Sequence, residues 1–392
     1  MNAHVKVPAA PLRERIARAA AVAAKFADDV DAKGRFPSET MQALKDEGLL
    51  GIQIPAELGG EGTSIAEIAE LCSVLGQSCG SSAMIFAMHH IKLSSLVEHG
   101  QKHEWHREFM RAIAGNQLLL GSATTEGGIG GDLRNSICAI EINDGTVRLE
   151  KNATVISYGL YADAILITSR AHKDAASSDQ VMTVFLKDQY TLEKTNDWDT
   201  LGMRGTCSEG FVFKGEAPAE QVIPEPFAEI AAHSMLAMAH LLWSALWYGI
   251  TVDAVHRAQS FVRAAARKTP GQTPPGALRL AEISGKLQAI KTDIIHGVRQ
   301  YEEIRRNPES LTMGFLIAMN NTKLATSTAI IDIIGQTLLI NGIMGYKNGT
   351  PYSVGRHLRD AYSAQLQISN ERILMNQSTM LLVNKQDTSL LG

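Results

Sequence analysis

Cysteine is scarce. Cys72, Cys79, Cys138 and Cys207 are scattered over 392 positions and none forms a C-x-x-C pair. That excludes a zinc knuckle and a disulfide framework and points to a reducing compartment, so a cytoplasmic protein is expected. A basic excess is also lacking. Thirty-seven Lys and Arg against 41 Asp and Glu leave a net charge of -4. With no basic stripe either, electrostatic nucleic-acid binding is not expected. No apolar run reaches the ~20 residues that a bilayer-spanning helix needs. The stretch from Met235 to Ile250 comes nearest, but His240 and Ser244 interrupt it and Asp253 follows it. It reads as a helix buried in a bundle. No internal repeat or low-complexity tract is present. Hydrophobic residues at 45% and charged residues at 20% are ordinary for a globular chain.

Three textures follow one another. Leu12, Ile16, Ala19, Ala20, Ala23 and Phe26 recur at helical spacing, and nearby Glu14, Asp28 and Asp29 argue for an amphipathic helix over a transit peptide. Pro37-Ser38 opens a second helix that stops at Gly48; further helices are expected over 65–77 and 83–98. Near Leu118 short apolar runs separated by turn signals begin: 136–142, 164–169, 181–186 and 211–213. From about Glu229 the pattern is helical again. Ile283, Leu287, Ile290, Ile294 and Val298 form one stripe, and Ala329 to Ile340 is apolar almost all round and should be central. The class is therefore α+β, in three parts: helices over 1–118, antiparallel strands over 119–226, a helical bundle over 227–392.

Six segments carry a resemblance. Phe36-Pro37 is followed by Gly48-Leu49-Leu50-Gly51-Ile52 and by Pro55 to Gly62. Thr125-Glu126 precedes Gly130-Gly131-Asp132. Next come Val155-Ile156-Ser157, Leu201 to Ser208, Arg267 to Gly271, and Gly345-Tyr346 with Leu358-Arg359-Asp360-Ala361. In this order they resemble the acyl-CoA dehydrogenase superfamily of flavoproteins. The resemblance implies that fold, FAD as cofactor (FMN less so), and an acyl thioester of CoA or a carrier protein as substrate. It also implies an electron-accepting flavoprotein or oxygen as partner, and a homodimer or homotetramer packed through the bundle. It places Thr125, Gly130, Gly131, Ser157, Arg267 and Asn370 at the cofactor.

The departures bear on chemistry. Dehydrogenation removes an α-proton beside the thioester, which needs a general base within hydrogen-bond reach. The family's glutamate lies seven residues after the alanine of Leu-Arg-Asp-Ala, and here that position is Ile368. The alternative position, on the first long helix of the bundle, falls within Ala239 to Leu242 and also lacks a carboxylate. A local shift would be needed to bring in Glu371. The other titratable candidates are His89 and His90, on a helix expected to line the acyl pocket, and His240. Tyr362 and Gln367 read as helix-face residues. His103 and His106 read as a solvated face, and no metal site is expected. Three functions stay open: a dehydrogenase with an unidentified base, a monooxygenase using reduced flavin and oxygen, and a non-catalytic thioester-binding member.

Overall fold

The computed structural model describes residues 10–129 and 132–385. Helix α1 (Leu12–Lys33) buries the expected stripe of Ile16, Ala19, Ala20 and Ala23. It ends where Gly34, in a left-handed turn, returns its N–H to carbonyls of the last turn. Helix α2 spans Ser38–Asp46. Helix α3 (Ile65–Gly76) is opened by a reciprocal cap between Ser64 and Glu67. Helix α4 (Gly80–His99) is buried along nearly its whole length, and α5 (Glu104–Asn116) covers it. On α5 the expectation of a solvated histidine pair fails for one member: the amphipathic helix turns His106 inward, leaving His103 exposed. Among the described residues no three His, Cys, Asp or Glu side chains group as metal ligands.

Eight strands follow: β1 (Leu120–Ala123), β2 (Glu141–Asn143), β3 (Thr146–Ser157), β4 (Ala164–Arg170), β5 (Gln180–Leu186), β6 (Tyr190–Asn196), β7 (Ser208–Pro218) and β8 (Val222–Ile223). They form two four-stranded sheets, ordered β1-β4-β5-β8 and β2-β3-β7-β6. Pairing between these strands is antiparallel except for β1 with β4, which run parallel. Phe185 and Phe213 meet edge to face between the sheets, with ring centroids 5.1 Å apart. The strand expected over 136–142 shrinks to β2. Glu126 takes part of the backbone: its two carboxylate oxygens accept the N–H groups of Ile137 and Cys138 at 2.9 and 2.8 Å, and the segment keeps a single parallel bridge, Ala139 beside Arg170.

The C-terminal block begins with α6 (Phe227–Ile230), a π turn (Ala231–Met235) and the long α7 (Leu236–Lys268). Then come α8 (Ala277–Arg306), α9 (Met313–Asn341), α10 (Ile343–Tyr346), α11 (Gly355–Leu366) and α12 (Asn370–Leu381). Helix α7 is the core helix, packed against α3, α4, α8 and α9. Its approach to α3 is so close that a Cβ on Gly249 would stand 2.1 Å from the Ser73 carbonyl oxygen, so only glycine fits. Two helical stretches, Phe227–Lys268 and Met313–Asn341, are long and apolar enough to cross a membrane. The first is buried over 89% of its most apolar window, the second over 44%. The expectation that Ala329 to Ile340 is central is therefore corrected. Helix α9 packs on α7, α8 and α11 with Ile330, Ile333, Ile334, Thr337 and Ile340 turned inward, while Thr328, Asp332 and Leu339 lie on its exposed side.

Candidate functional site

A cleft of about 720 Å³ opens where helices α4 and α7, the end of β3 and the α11–α12 corner converge. Helical phase decides which residues of α4 reach it. Met84, Met88, Ile91 and Lys92, spaced by four, three and one, form a stripe along the cleft. Helix α7 answers with Leu236, Ala239, His240 and Trp243. From the sheet side, β3 carries an irregularity in its register with β7 between Ala153 and Ile156. Such a bulge re-aims side chains, and both Val155 and Ser157 line the cleft.

The lip is fastened by two of the sequence motifs. Asp360 is buried and accepts the N–H of Met203 at 2.7 Å. Burial raises its carboxyl to about 6, against the opposing pull of the Arg356 charge. Arg359 pairs with Asp31 and donates to the Leu201 carbonyl at 2.9 Å. A Cβ at Gly202 would lie 2.3 Å from the Arg359 carbonyl oxygen. Arg359-Asp360 and Leu201-Gly202-Met203 are thus two halves of one latch between the bundle and the β-block.

His89 and His90 are not on the cleft stripe. His89 accepts the Leu120 N–H on Nδ1 at 3.1 Å, so Nε2 must carry the proton it gives to the Leu50 carbonyl at 2.7 Å. Both ring nitrogens are committed to backbone, and burial pushes its pKa down to about 4. His90 has Nε2 3.2 Å from the Leu49 carbonyl, and burial holds its pKa well below the ordinary value. These rings tether the 49–50 loop and β1 to α4. Adjacent residues on a helix point about 100° apart, so at most one was expected to face the pocket; neither lines the cleft, whose stripe runs on the other phase of α4.

His240, by contrast, lines the cleft. Burial lowers its pKa to about 4, the Lys323 charge assists, and a hydrogen bond that it donates to Asn320 opposes. Its Nδ1 is buried with no hydrogen-bond partner. Ile368 lies on the cleft wall in the short link between α11 and α12, whereas Glu371 is exposed and lies outside the lining. Ile368 adopts φ +51°, a costly value for a β-branched residue. The buried Lys323 holds it there, donating to the Ile368 carbonyl at 2.7 Å and to Asn370 Oδ1 at 2.5 Å. Asn370 also bonds Ser327 through both ends of its amide, so it anchors the corner and does not line the cleft. Arg267 is exposed at the end of α7, outside the cleft. Thr125 and Ser157 do line it; Gly130 and Gly131 lie outside the described residues. Tyr362 and Gln367, read as helix-face residues, also reach it, because α11 ends there and exposes its last turn to the opening. Sequence reasoning passed over Lys92. The signal was a lysine four residues after Met88 on the stripe that runs through Met84.

The N-terminal domain of acyl-CoA dehydrogenases matches this chain over residues 11–117. The chain is 24% identical over 346 residues to the human mitochondrial short-chain specific acyl-CoA dehydrogenase, covering 86% of this chain and 80% of that one. Over its N-terminal domain the chain matches the acyl-CoA dehydrogenases, and along most of its length it is similar to members of that superfamily. Other similar proteins are named for different chemistry. The chain is 21% identical over 356 residues to SfnC of Pseudomonas putida, named as a probable FMNH2-dependent monooxygenase, covering 87% of this chain and 88% of that one. FMN-bound TdsC of Paenibacillus sp. A11-2, a dibenzothiophene monooxygenase, has the same fold: TM-score 0.84 at 18% identity, over 96% of this chain and 98% of that chain.

The residues present suit the flavin of the superfamily. The Thr206, Ser208 and Ser157 hydroxyls form a chain with steps of 2.9 and 2.8 Å that ends at the cleft. Thr125 stands nearby with only a long 3.4 Å bond to the Val155 carbonyl. Small hydroxyls on strand ends match the heteroatom edge of a flavin, and Glu126 fixes the loop on which Thr125 sits.

Proposed function

We propose that this flavoprotein is a monooxygenase that uses reduced FMN and oxygen on a small substrate held in the α4–α7 cleft. One observation carries the reading: the wall position expected to hold a dehydrogenase's glutamate is Ile368, with Glu371 turned to solvent. An isoleucine has no atom to accept an α-proton. A reduced flavin supplies the two electrons with which oxygen places one atom on the substrate and releases the other as water. The chain's own part is to bind, orient and exclude water. Ser157 and Thr125 hold the flavin edge, the apolar stripes of α4 and α7 keep the interior dry, and neutral His240 offers a proton-exchanging nitrogen beside the substrate.

A dehydrogenase of acyl thioesters is the second reading, favoured by one observation. His240 stands on α7 near the family's alternative base position with an unpartnered Nδ1. Turnover under labelled oxygen separates the two. The protein with FMN, a flavin-reducing system and ¹⁸O₂ should yield a product carrying one heavy oxygen atom. Unlabelled, desaturated thioester as the product would establish the second reading instead.

The exposed apolar residues Leu339 near the end of α9 and Ile343 and Tyr346 on α10 support assembly of two or four copies through the bundle. Light scattering of the dilute protein should give a multiple of the chain mass.

A further inference from the structure

Lys92 is 6% exposed, yet it lies on the cleft wall. Its ammonium has three donors, and it donates to the Met235 thioether, 2.9 Å away. Sulfur of this kind is a weak acceptor. Among the described residues no carboxylate pairs with Lys92, and burial alone acts on its charge. Buried charges are ordinarily paired or hydrogen-bonded, because isolating one from water is costly. Two further buried groups on the facing helix are also unpartnered, His240 Nδ1 and Trp243 Nε1, and both residues line the same cleft. Three unsatisfied polar groups in one apolar cleft need an explanation.

The helices give the arrangement a length. Lys92 touches Met235, while Gly80, at the other end of α4, packs near Ile250, so α4 and α7 run antiparallel. Lys92 therefore stands at the Met235 end. His240 lies five residues further along α7, about 7.5 Å at 1.5 Å per residue. Met235 closes the π turn, an irregularity found frequently at functional sites.

We propose that Lys92 anchors an anionic substrate: a small organic acid whose carboxylate or other oxyanion accepts from its ammonium while the apolar body runs along Met88 toward His240. The inference rests on the reading of the cleft as the place where substrate meets flavin. Burial brings the Lys92 pKa down to about 7, so an arriving anion completes its protonation and supplies the acceptor that the protein withholds. A neutral ester or amide makes no such gain.

Calorimetric binding to the full-length, FMN-loaded protein tests this without turnover. The probes are benzoate, phenylacetate and hexanoate, each beside its amide, with wild type and Lys92→Met; FMN and riboflavin are titrated separately. At least one acid should bind tenfold or more tightly than its amide. Lys92→Met should erase that preference while amide binding stays within twofold, which also shows that the variant is folded. The ratio of FMN to riboflavin affinity should not change. Equal affinity for all acids and amides in the wild type would overturn the proposal, as would a preference that survives Lys92→Met. A selective loss of FMN over riboflavin in the variant would also overturn it, assigning Lys92 to the cofactor phosphate. Because binding is read directly, a protein that binds acids but incorporates no oxygen would refute the monooxygenase reading and leave this one standing.

Discussion

The two ends of the cleft bury lysines in opposite ways. At the α11–α12 corner, Lys323 is fully buried, yet it donates to the Ile368 carbonyl and the Asn370 side chain and lies 5.9 Å from the Trp247 ring centroid. At the π-turn end, Lys92 has a thioether. In the β-block Lys151 behaves like Lys323: it donates to the Thr168 carbonyl at 2.6 Å with Glu126 3.8 Å away. A buried cation with oxygen acceptors is part of the frame. One without them is a binding group waiting for its acceptor. Residue type does not separate these cases; the neighbours do.

The comparison can be broken by removing each charge in turn. Lys323→Met should be the most damaging, with a stability loss of about 3 kcal/mol in urea unfolding. It takes the donor from the half-buried Ile368 carbonyl, leaves the Asn370 amide with Ser327 alone and frees a strained left-handed residue. His89→Ala should follow at about 2 kcal/mol, since it strands the Leu50 carbonyl and the Leu120 N–H, with substrate preference unchanged per folded molecule.

Lys92→Met should move stability the other way, by about +1 kcal/mol or more near neutral pH, because an apolar side chain of similar length replaces an uncompensated charge. The gain has a predictable pH dependence. The folded pKa of about 7 lies below the ordinary lysine value of 10.5. Below pH 7 both folded and unfolded states carry the proton and the burial penalty is complete. Between about 7 and 10.5 the unfolded chain holds more protons, so wild-type stability rises with pH and the advantage of the variant shrinks. Thermal melts of both proteins at pH 6, 8 and 10 check the sign. The smallest effect belongs to Glu371→Gln, expected to leave stability within about 0.5 kcal/mol and turnover unchanged, as an exposed residue outside the cleft should.

The order of helices, strands and helices was legible because period and turn signals are local properties. The latch was legible as two motifs, although only the fold reveals that Gly202 is there to admit the Arg359 backbone. Helical phase was where the reading of α4 went astray. His89 and His90 attract attention as titratable residues, but the cleft stripe runs through Met84 and Met88 to Lys92. Satisfaction of a histidine by backbone groups from distant loops, as at Leu50 and Leu120, leaves no trace in composition. The outer face of α9 misled for a different reason: Asp332 and Gln336 interrupt the apolar run on the side turned away from α7, and a count of apolar residues does not show their phase.

The central claim is that the cleft is not built to take an α-proton from a thioester. Its most direct test is anaerobic mixing of the oxidised, flavin-loaded protein with saturated acyl-CoAs of several chain lengths, followed by the flavin absorbance. The wild type should keep its oxidised spectrum, whereas Ile368→Glu, which restores a carboxylate at the wall, should bleach with at least one of them. Rapid bleaching of the wild type, abolished in His240→Ala, would contradict the account and make this chain a dehydrogenase with a histidine base.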